Sequence, residues 1–248
     1  MSVKTSPRLH LDGLSRTFSL SNGSHRAVLD DISLTVHPGE FVSIIGPSGC
    51  GKSTLFNIIA GLDAPSSGAV DIDGEVAYMP QKDALLPWRS IAANAALGLE
   101  VQGVKRREAR ARVRKWFPRF GLAGFEDSLP FELSGGMRQR AALLRTVVQN
   151  KSTLLLDEPF GALDALTKQD LQTWLQQVWA EHEWTALLIT HDVREAILLS
   201  DRMVVLSPRP ATVSLVLDVD LPKPRGIDAL TSPKFLKLER RLLETLGS

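Results

Sequence analysis

Residues 46–53 read Gly46-Pro-Ser-Gly-Cys-Gly-Lys52-Ser53 and fit the pattern G-x-x-x-x-G-K-[ST]. Glycines let a backbone fold tightly, so that successive N–H groups point at one anion. The run follows an apolar stretch, Phe41–Ile45, and precedes a helical pattern of Leu55, Ile58, Ile59 and Leu62. A helix start at that point adds partial positive charge, worth only ~0.3–2 kcal/mol. A triphosphate needs more, and Lys52 together with a Mg2+ held by Ser53 would supply it.

A second cluster is acidic. Thr153-Leu-Leu-Leu-Asp157-Glu158 is an apolar run that ends in two carboxylates, which are costly to bury without a cation. Asp157 is placed to hold Mg2+. Glu158 is placed to polarise an attacking water. Two more apolar runs end in polar residues: Gln81 follows Val76–Pro80, and His191 follows Leu187–Thr190. Ligands of open α/β sheets sit at the carboxyl ends of strands, where a Gln near Mg2+ and a His near a γ-phosphate make chemical sense. Each alone is more often a structural residue.

Leu133-Ser-Gly-Gly-Met137 stands before a helical pattern of Met137, Ala141, Leu144 and Val148. Ser134 can cap that helix, and Gly135 and Gly136 again expose N–H groups. A Gly-capped helix start explains this as well as a second phosphate cradle does. If it is a cradle, each site takes it from another copy, in a head-to-tail dimer with Asp164 near the seam.

The elements that position these residues are legible. Phe41–Ile45, Thr153–Leu156, Ala186–Ile189 and Met203–Leu206 are short apolar runs suited to parallel strands covered on both faces. Helical patterns lie between them, so the class is α/β. Residues 9–38 read as short strands and turns. Residues 90–120 read as a helical insertion, Ala-rich and then basic, with seven Lys or Arg and one Glu between 105 and 115. No aromatic residue interleaves that basic run, which reads as a solvated helix face. Residues 222–226 read as a linker, and Ser232-Pro233 as the start of a helix with Phe235, Leu238, Leu242 and Leu246 on one face.

The composition narrows the classes. The chain has 248 residues, 44% hydrophobic and 23% charged, with net charge +1. This is ordinary globular usage and excludes a disordered, collagenous or disulfide-scaffold protein. It gives no global field for nucleic acid. The single cysteine, Cys50, fits a reducing compartment, and no histidine stands in a zinc-binding frame. The N-terminal residues lack the apolar stretch of a signal peptide, and no apolar run approaches the ~18 residues of a membrane span. A cytoplasmic chain that docks on another protein at a membrane is expected.

Taken in order, Gly46–Thr54, Gln81, Leu133–Met137, Thr153–Glu158, Ala162–Asp164 and His191 resemble the motifs of the ATP-binding subunit of ABC transporters. The resemblance spans about residues 8–220, and Leu133-Ser-Gly-Gly is the family's signature. Met137 stands where the common signature has Gln, a departure found in one importer branch. The resemblance implies a P-loop ABC ATPase fold in α/β class: a mostly parallel core sheet, an N-terminal antiparallel β subdomain and a helical signature subdomain. It implies one such domain over 1–248, with a core of 8–85 and 150–220, a helical part of 86–149 and a tail helix in 222–248.

The resemblance also implies roles. Gly46, Pro47, Ser48, Gly49, Cys50, Gly51, Lys52, Ser53 and Thr54 would cradle ATP phosphates. Ser53, Gln81 and Asp157 would arrange Mg2+, Glu158 would position water and His191 would sense the γ-phosphate. Ser134, Gly135 and Gly136 would close on the partner's ATP, and Phe18 would stack on adenine unless it is core. Pro87 and Trp88 would meet a membrane subunit, unless Trp88 packs internally. Cys50, at a helix start, could be reactive, and its alkylation would block ATP by bulk.

Leu85-Leu-Pro-Trp88, Met137 and the tail resemble the nitrate, sulfonate and taurine importer branch, and Met79–Asp83 resembles importers of pyrimidine precursors of thiamine. Implied partners are a second ATP-binding subunit, transmembrane permease subunits and, indirectly, an extracytoplasmic solute-binding protein, at the cytoplasmic face of the cell membrane. No nucleic-acid partner is implied. The alternative is a soluble, non-transport ABC ATPase. Those usually carry two such domains or a long coiled-coil insert, whereas Lys52 and Asp157 are only 105 positions apart here.

Overall fold

Runs that are apolar at nearly every position cannot face water on either side, and here they become the strands of a sheet covered twice. The computed structural model describes residues 6–182 and 184–247, with the backbone alone for 180–182. Met1–Thr5 of the N-terminal stretch read above lie outside the described residues.

Two sheets form. β1 (Leu9–Ser19), β2 (His25–Val36) and β4 (Ser67–Ile72) make an antiparallel sheet in the order β2-β1-β4. The second sheet contains β3 (Phe41–Ile45), β5 (Val76–Met79), β6 (Thr153–Asp157), β7 (Thr185–Ile189), β8 (Arg202–Leu206) and β9 (Val213–Asp218). Its order is β5-β6-β7-β3-β8-β9, with only the edge strand β9 antiparallel. All four runs expected as buried parallel strands are here, in register with Phe41 beside Ala186 and Asp157 beside Ile189.

Alternation along each strand feeds two cores. Leu154 and Leu156 face one side and Leu155 the other. The Leu155 side is covered by β1, β2 and α1 (Lys52–Ile59), with Phe56 fully buried and edge-on to Tyr78 at 6.2 Å. The Leu154 side is covered by α6 (Ala165–His182) and by a helical lobe. That lobe contains α2 (Ile91–Ala95), α3 (Leu97–Val101), α4 (Arg106–Arg114) and α5 (Gly135–Val147). Its core runs without a break into the core of the sheet. The basic run is α4, with Ala109 and Val113 buried and the arginines exposed, which fits a solvated helix face.

The chain closes with α7 (Val193–Leu199) and α8 (Pro233–Leu246). Ser232 caps α8 by accepting from the Phe235 amide, and Phe235 and Leu242 are fully buried. The stretch 222–226 does connect β9 to the tail, but its Arg225 is 3% exposed. The guanidinium donates to the carbonyls of Ile197 and Ser200 at the end of α7 and to those of Val219 and Leu221. Its backbone exchanges two bonds with the Gln176 amide.

Candidate functional site

Five adjacent parallel strands deliver their carboxyl ends to one cleft of about 400 Å3. From one edge inward, β5 leads to Gln81, β6 to Asp157 and Glu158, and β7 to His191. β3 leads to the glycine-rich loop and β8 to Arg209. β3 sits between two strands that follow it much later in sequence, the strand-order reversal where α/β sheets open a crevice.

The loop from Gly46 to Gly51 turns β3 into α1. Gly51 has φ +126°, and a Cβ there would lie 2.8 Å from Val28 Cγ1, so only glycine fits against β2. Lys52 is 8% exposed, and its ammonium donates to the carbonyls of Gly46 (2.8 Å) and Pro47 (2.9 Å). Cys50 is 1% exposed, with its Sγ 3.9 Å from that ammonium and its amide donating to Pro47 O. The thiol is therefore enclosed by the loop, and the expectation of ready reactivity is corrected: a reagent reaches it only when the loop opens.

Asp157 is buried at the floor of the cleft, which Ser53 and Lys52 also line. Burial pushes its carboxyl above the usual carboxylate range, with Glu158 adding to the rise and Ser53 and Lys52 opposing it. Its Oδ2 has no hydrogen-bond partner among the described residues. A buried, unsatisfied carboxylate oxygen beside a hydroxyl is a fitting donor set for a hard cation.

Glu158 holds a left-handed backbone conformation, φ +49°. Such strain persists where surrounding bonds over-determine it. Here the Glu158 amide donates to Ile189 O, and its carbonyl accepts from the buried Gln139 side chain (3.1 Å) and the Gly161 amide. The carboxylate is thus aimed between two side chains. Gln81 Nε2 donates to Oε2 at 3.0 Å, and His191 Nδ1 lies 3.4 Å from Oε1. The His191 ring is largely exposed, so it can still turn toward a ligand.

The stretch that carries the glycine-rich loop, Gln81, Asp157 and Glu158 matches a known family profile. The profile of the ABC transporter family matches residues 29–161. The chain belongs to that family.

It is accordingly an ATP-binding cassette ATPase. The chain is similar to the formylaminopyrimidine import ATP-binding protein of Halalkalibacterium halodurans, 46% identical over 77% of this chain and 78% of that protein. It is similar to the aliphatic sulfonates import ATP-binding protein of Bacillus cereus, 40% identical over 94% of each. The nitrate import ATP-binding protein of Synechococcus elongatus is 42% identical over 96% of this chain, which spans only 38% of that longer protein. Among solved structures, the dimeric ABC transporter cassette MJ0796 superposes with TM-score 0.80 at 28% identity, covering 86% of this chain and all of that one. A second structure of MJ0796, in a post-hydrolysis state with ADP and phosphate, gives 0.79.

Not every anticipated residue of the cassette reaches the cleft. Gly46, Ser48, Gly49, Gly51, Lys52, Ser53 and Thr54 line it, with Gln81, Asp157, Glu158 and His191. Pro47 and Cys50 belong to the loop but do not line the opening. Phe18 lies on β1 outside the lining, with the Arg16 guanidinium 4.4 Å from its ring centroid. Ser134, Gly135 and Gly136 are also outside it. Ser134 caps α5 by accepting from the Met137 amide, and a Cβ on Gly136 would lie 3.3 Å from Leu163. Asp164 caps α6 through the Thr167 amide. Trp88 is 73% exposed, which excludes internal packing.

Two site residues were missed from sequence. Arg209 lies in Ser207-Pro-Arg-Pro210 and carries no motif signal. Gln139 reads as one more polar position on a helix, and only its burial reveals the bond to Glu158.

Proposed function

We propose that this chain is the ATP-hydrolysing subunit of an importer for a small solute, working as a pair that holds two ATP between them. The Gln81–Glu158 hydrogen bond, with His191 Nδ1 3.4 Å from the other carboxylate oxygen, beside the glycine-rich loop carries the reading. The loop amides and Lys52 hold phosphates, for which Lys52 leaves the Gly46 and Pro47 carbonyls. Glu158 takes up a proton from the attacking water, and its strained, thrice-anchored backbone keeps the carboxylate in place. Gln81 orients that carboxylate, and His191 reports the γ-phosphate.

Ser53, Gln81 and Asp157 would hold Mg2+, and the orphaned Asp157 Oδ2 supports that assignment. The ion would neutralise charge building on the phosphate oxygens. Because Ser134, Gly135 and Gly136 lie outside the chain's own cleft, they fit a role in covering the partner's nucleotide. Phe18, steadied by Arg16, would face the adenine. ATP favours the closed pair, and hydrolysis reopens it.

We divide the single cassette of 1–248 as anticipated, with a core of 8–85 and 150–220, a helical part of 86–149 and a tail in 222–248. The exposed Trp88 suits a pocket contact with a permease subunit. Among the described residues no helix is long and apolar enough to cross a membrane. The chain would therefore sit peripherally at the cytoplasmic face, under permease subunits that receive solute from an extracytoplasmic binding protein. The relatives are named for nitrate, bicarbonate, sulfonate and formylaminopyrimidine transport, which supports a small solute of the nitrate, sulfonate or pyrimidine type without choosing among them.

The test is ATP turnover in proteoliposomes, with the chain assembled on the permease encoded beside its gene and with its solute-binding protein. Stimulation by one solute supports the importer and names the cargo. Turnover in an intact complex that ignores both permease and solute would favour a soluble ATPase.

A further inference from the structure

We propose that Arg209, at the rim of the cleft, is a positioning residue that locks the phosphate loop through the peptide joining Gly49 to Cys50. The guanidinium of Arg209 donates to the Gly49 carbonyl. The two sides of one trans peptide point in opposite directions. The other side of this one is the Cys50 amide, which donates to Pro47 O at 3.2 Å. Arg209 and Pro47 therefore hold the peptide plane from both ends, next to Gly49 at φ +74°. Among the described residues Arg209 makes no ion pair, so the Gly49 carbonyl is what fixes it.

Arg209 is itself aimed by a braced turn. The Ser207 amide donates to Thr212 O (3.0 Å), and the Thr212 amide to Ser207 Oγ (2.9 Å). The Ala211 amide donates to Val28 O, and Ala211 O accepts from the Asp30 amide, both at 2.9 Å. Val28 is also the residue against which Gly51 closes. The phosphate loop and the turn that carries Arg209 thus rest on the same stretch of β2.

When Lys52 turns from the Gly46 and Pro47 carbonyls to a ligand, the clamp at Gly49 keeps the glycines from relaxing. Its loss weakens binding of any nucleotide whose phosphates lie on the loop, while leaving chemistry at Glu158 intact. The inference rests on the loop being the phosphate site.

The test compares Arg209→Ala, Arg209→Lys and Lys52→Ala in the full chain by fluorescence titration with an N-methylanthraniloyl ATP, and by steady-state turnover. Arg209→Ala should weaken binding and raise KM by about tenfold, with kcat changed less than about twofold, as expected for one charged hydrogen bond at an open site. Arg209→Lys, which keeps a donor, should restore most of the loss. The defect should persist at high salt, where a long-range charge effect would be screened. Unchanged binding in Arg209→Ala, alongside lost binding in Lys52→Ala, overturns the role of Arg209 and leaves the loop's role standing. Unchanged binding in both variants overturns the loop's role itself. A lowered melting temperature with a fallen kcat, not restored by Lys, would make Arg209 merely structural.

Discussion

Gln81 Nε2 and Glu158 Oε2 are 3.0 Å apart, although 77 positions separate them in the chain. The bond joins the loop after β5 to the end of β6 and leaves Oε1 of the same carboxylate to His191. A Gln at 158 can still accept from Gln81 through its own carbonyl oxygen, but it cannot take a proton from water. Glu158→Gln should therefore keep nucleotide binding, lose hydrolysis by ~10²–10⁴ and accumulate as the ATP-bound pair. Phosphate release and gel filtration with ATP check this, and retained turnover would remove the role of Glu158.

Tyr78 is the chain's single tyrosine, so its ionisation can be followed alone by ultraviolet absorbance. Burial, with Asp157 adding to it, pushes its hydroxyl up to about 12. A raised pKa means that the folded state keeps a proton which the unfolded state gives up near 10. The stability this provides is complete below pH 10 and is lost as pH rises through about 12. A midpoint near 10 in folded protein would contradict the packing of Tyr78 against Phe56.

Cys50 should label slowly with iodoacetamide in the native chain and at the rate of a free thiol in denaturant, because it is 1% exposed. Bound ATP should slow labelling further. Chain that has been labelled should not bind ATP, since the loop has no room for the adduct. Normal binding by fully labelled chain would sink the steric argument.

Arg225→Met should destabilise the chain by about 3 kcal/mol, because carbonyls at the end of α7 and after β9 would be left buried without donors. Urea unfolding measures the loss. A change within ~0.5 kcal/mol, typical of a surface site, would mean that water replaces the guanidinium.

The nucleotide chemistry was legible because its motifs are local. Lys52 and Ser53 stand within one octet, Asp157 and Glu158 end one apolar run, and each octet or run also declares its strand. Trp88 illustrates the limit, since the same residue among small apolar neighbours fits either a core or a docking surface, and only its exposure decides. Arg209, Gln139 and Arg225 were hidden for one physical reason. Each acts on a backbone carbonyl, and carbonyls leave no mark on residue type. Arg225, between Pro224 and Gly226, reads as part of a solvated linker, yet it is a buried donor hub. Cys50 misled in the opposite direction, because a helix start suggests reactivity but says nothing of enclosure.

Gln139 lies about one helical turn into α5, the helix whose first residues carry the Ser-Gly-Gly run, and it grips the carbonyl of Glu158. In a two-copy assembly of the proposed kind, one helix therefore touches both engines. Its tip would cover the neighbour's phosphates, while its first turn steadies its own copy's Glu158. Each copy does the same, so the two sites form a closed ring of dependence. A mixed pair with one disabled Glu158 should then run well below half speed, because the idle half holds the working half's helix still.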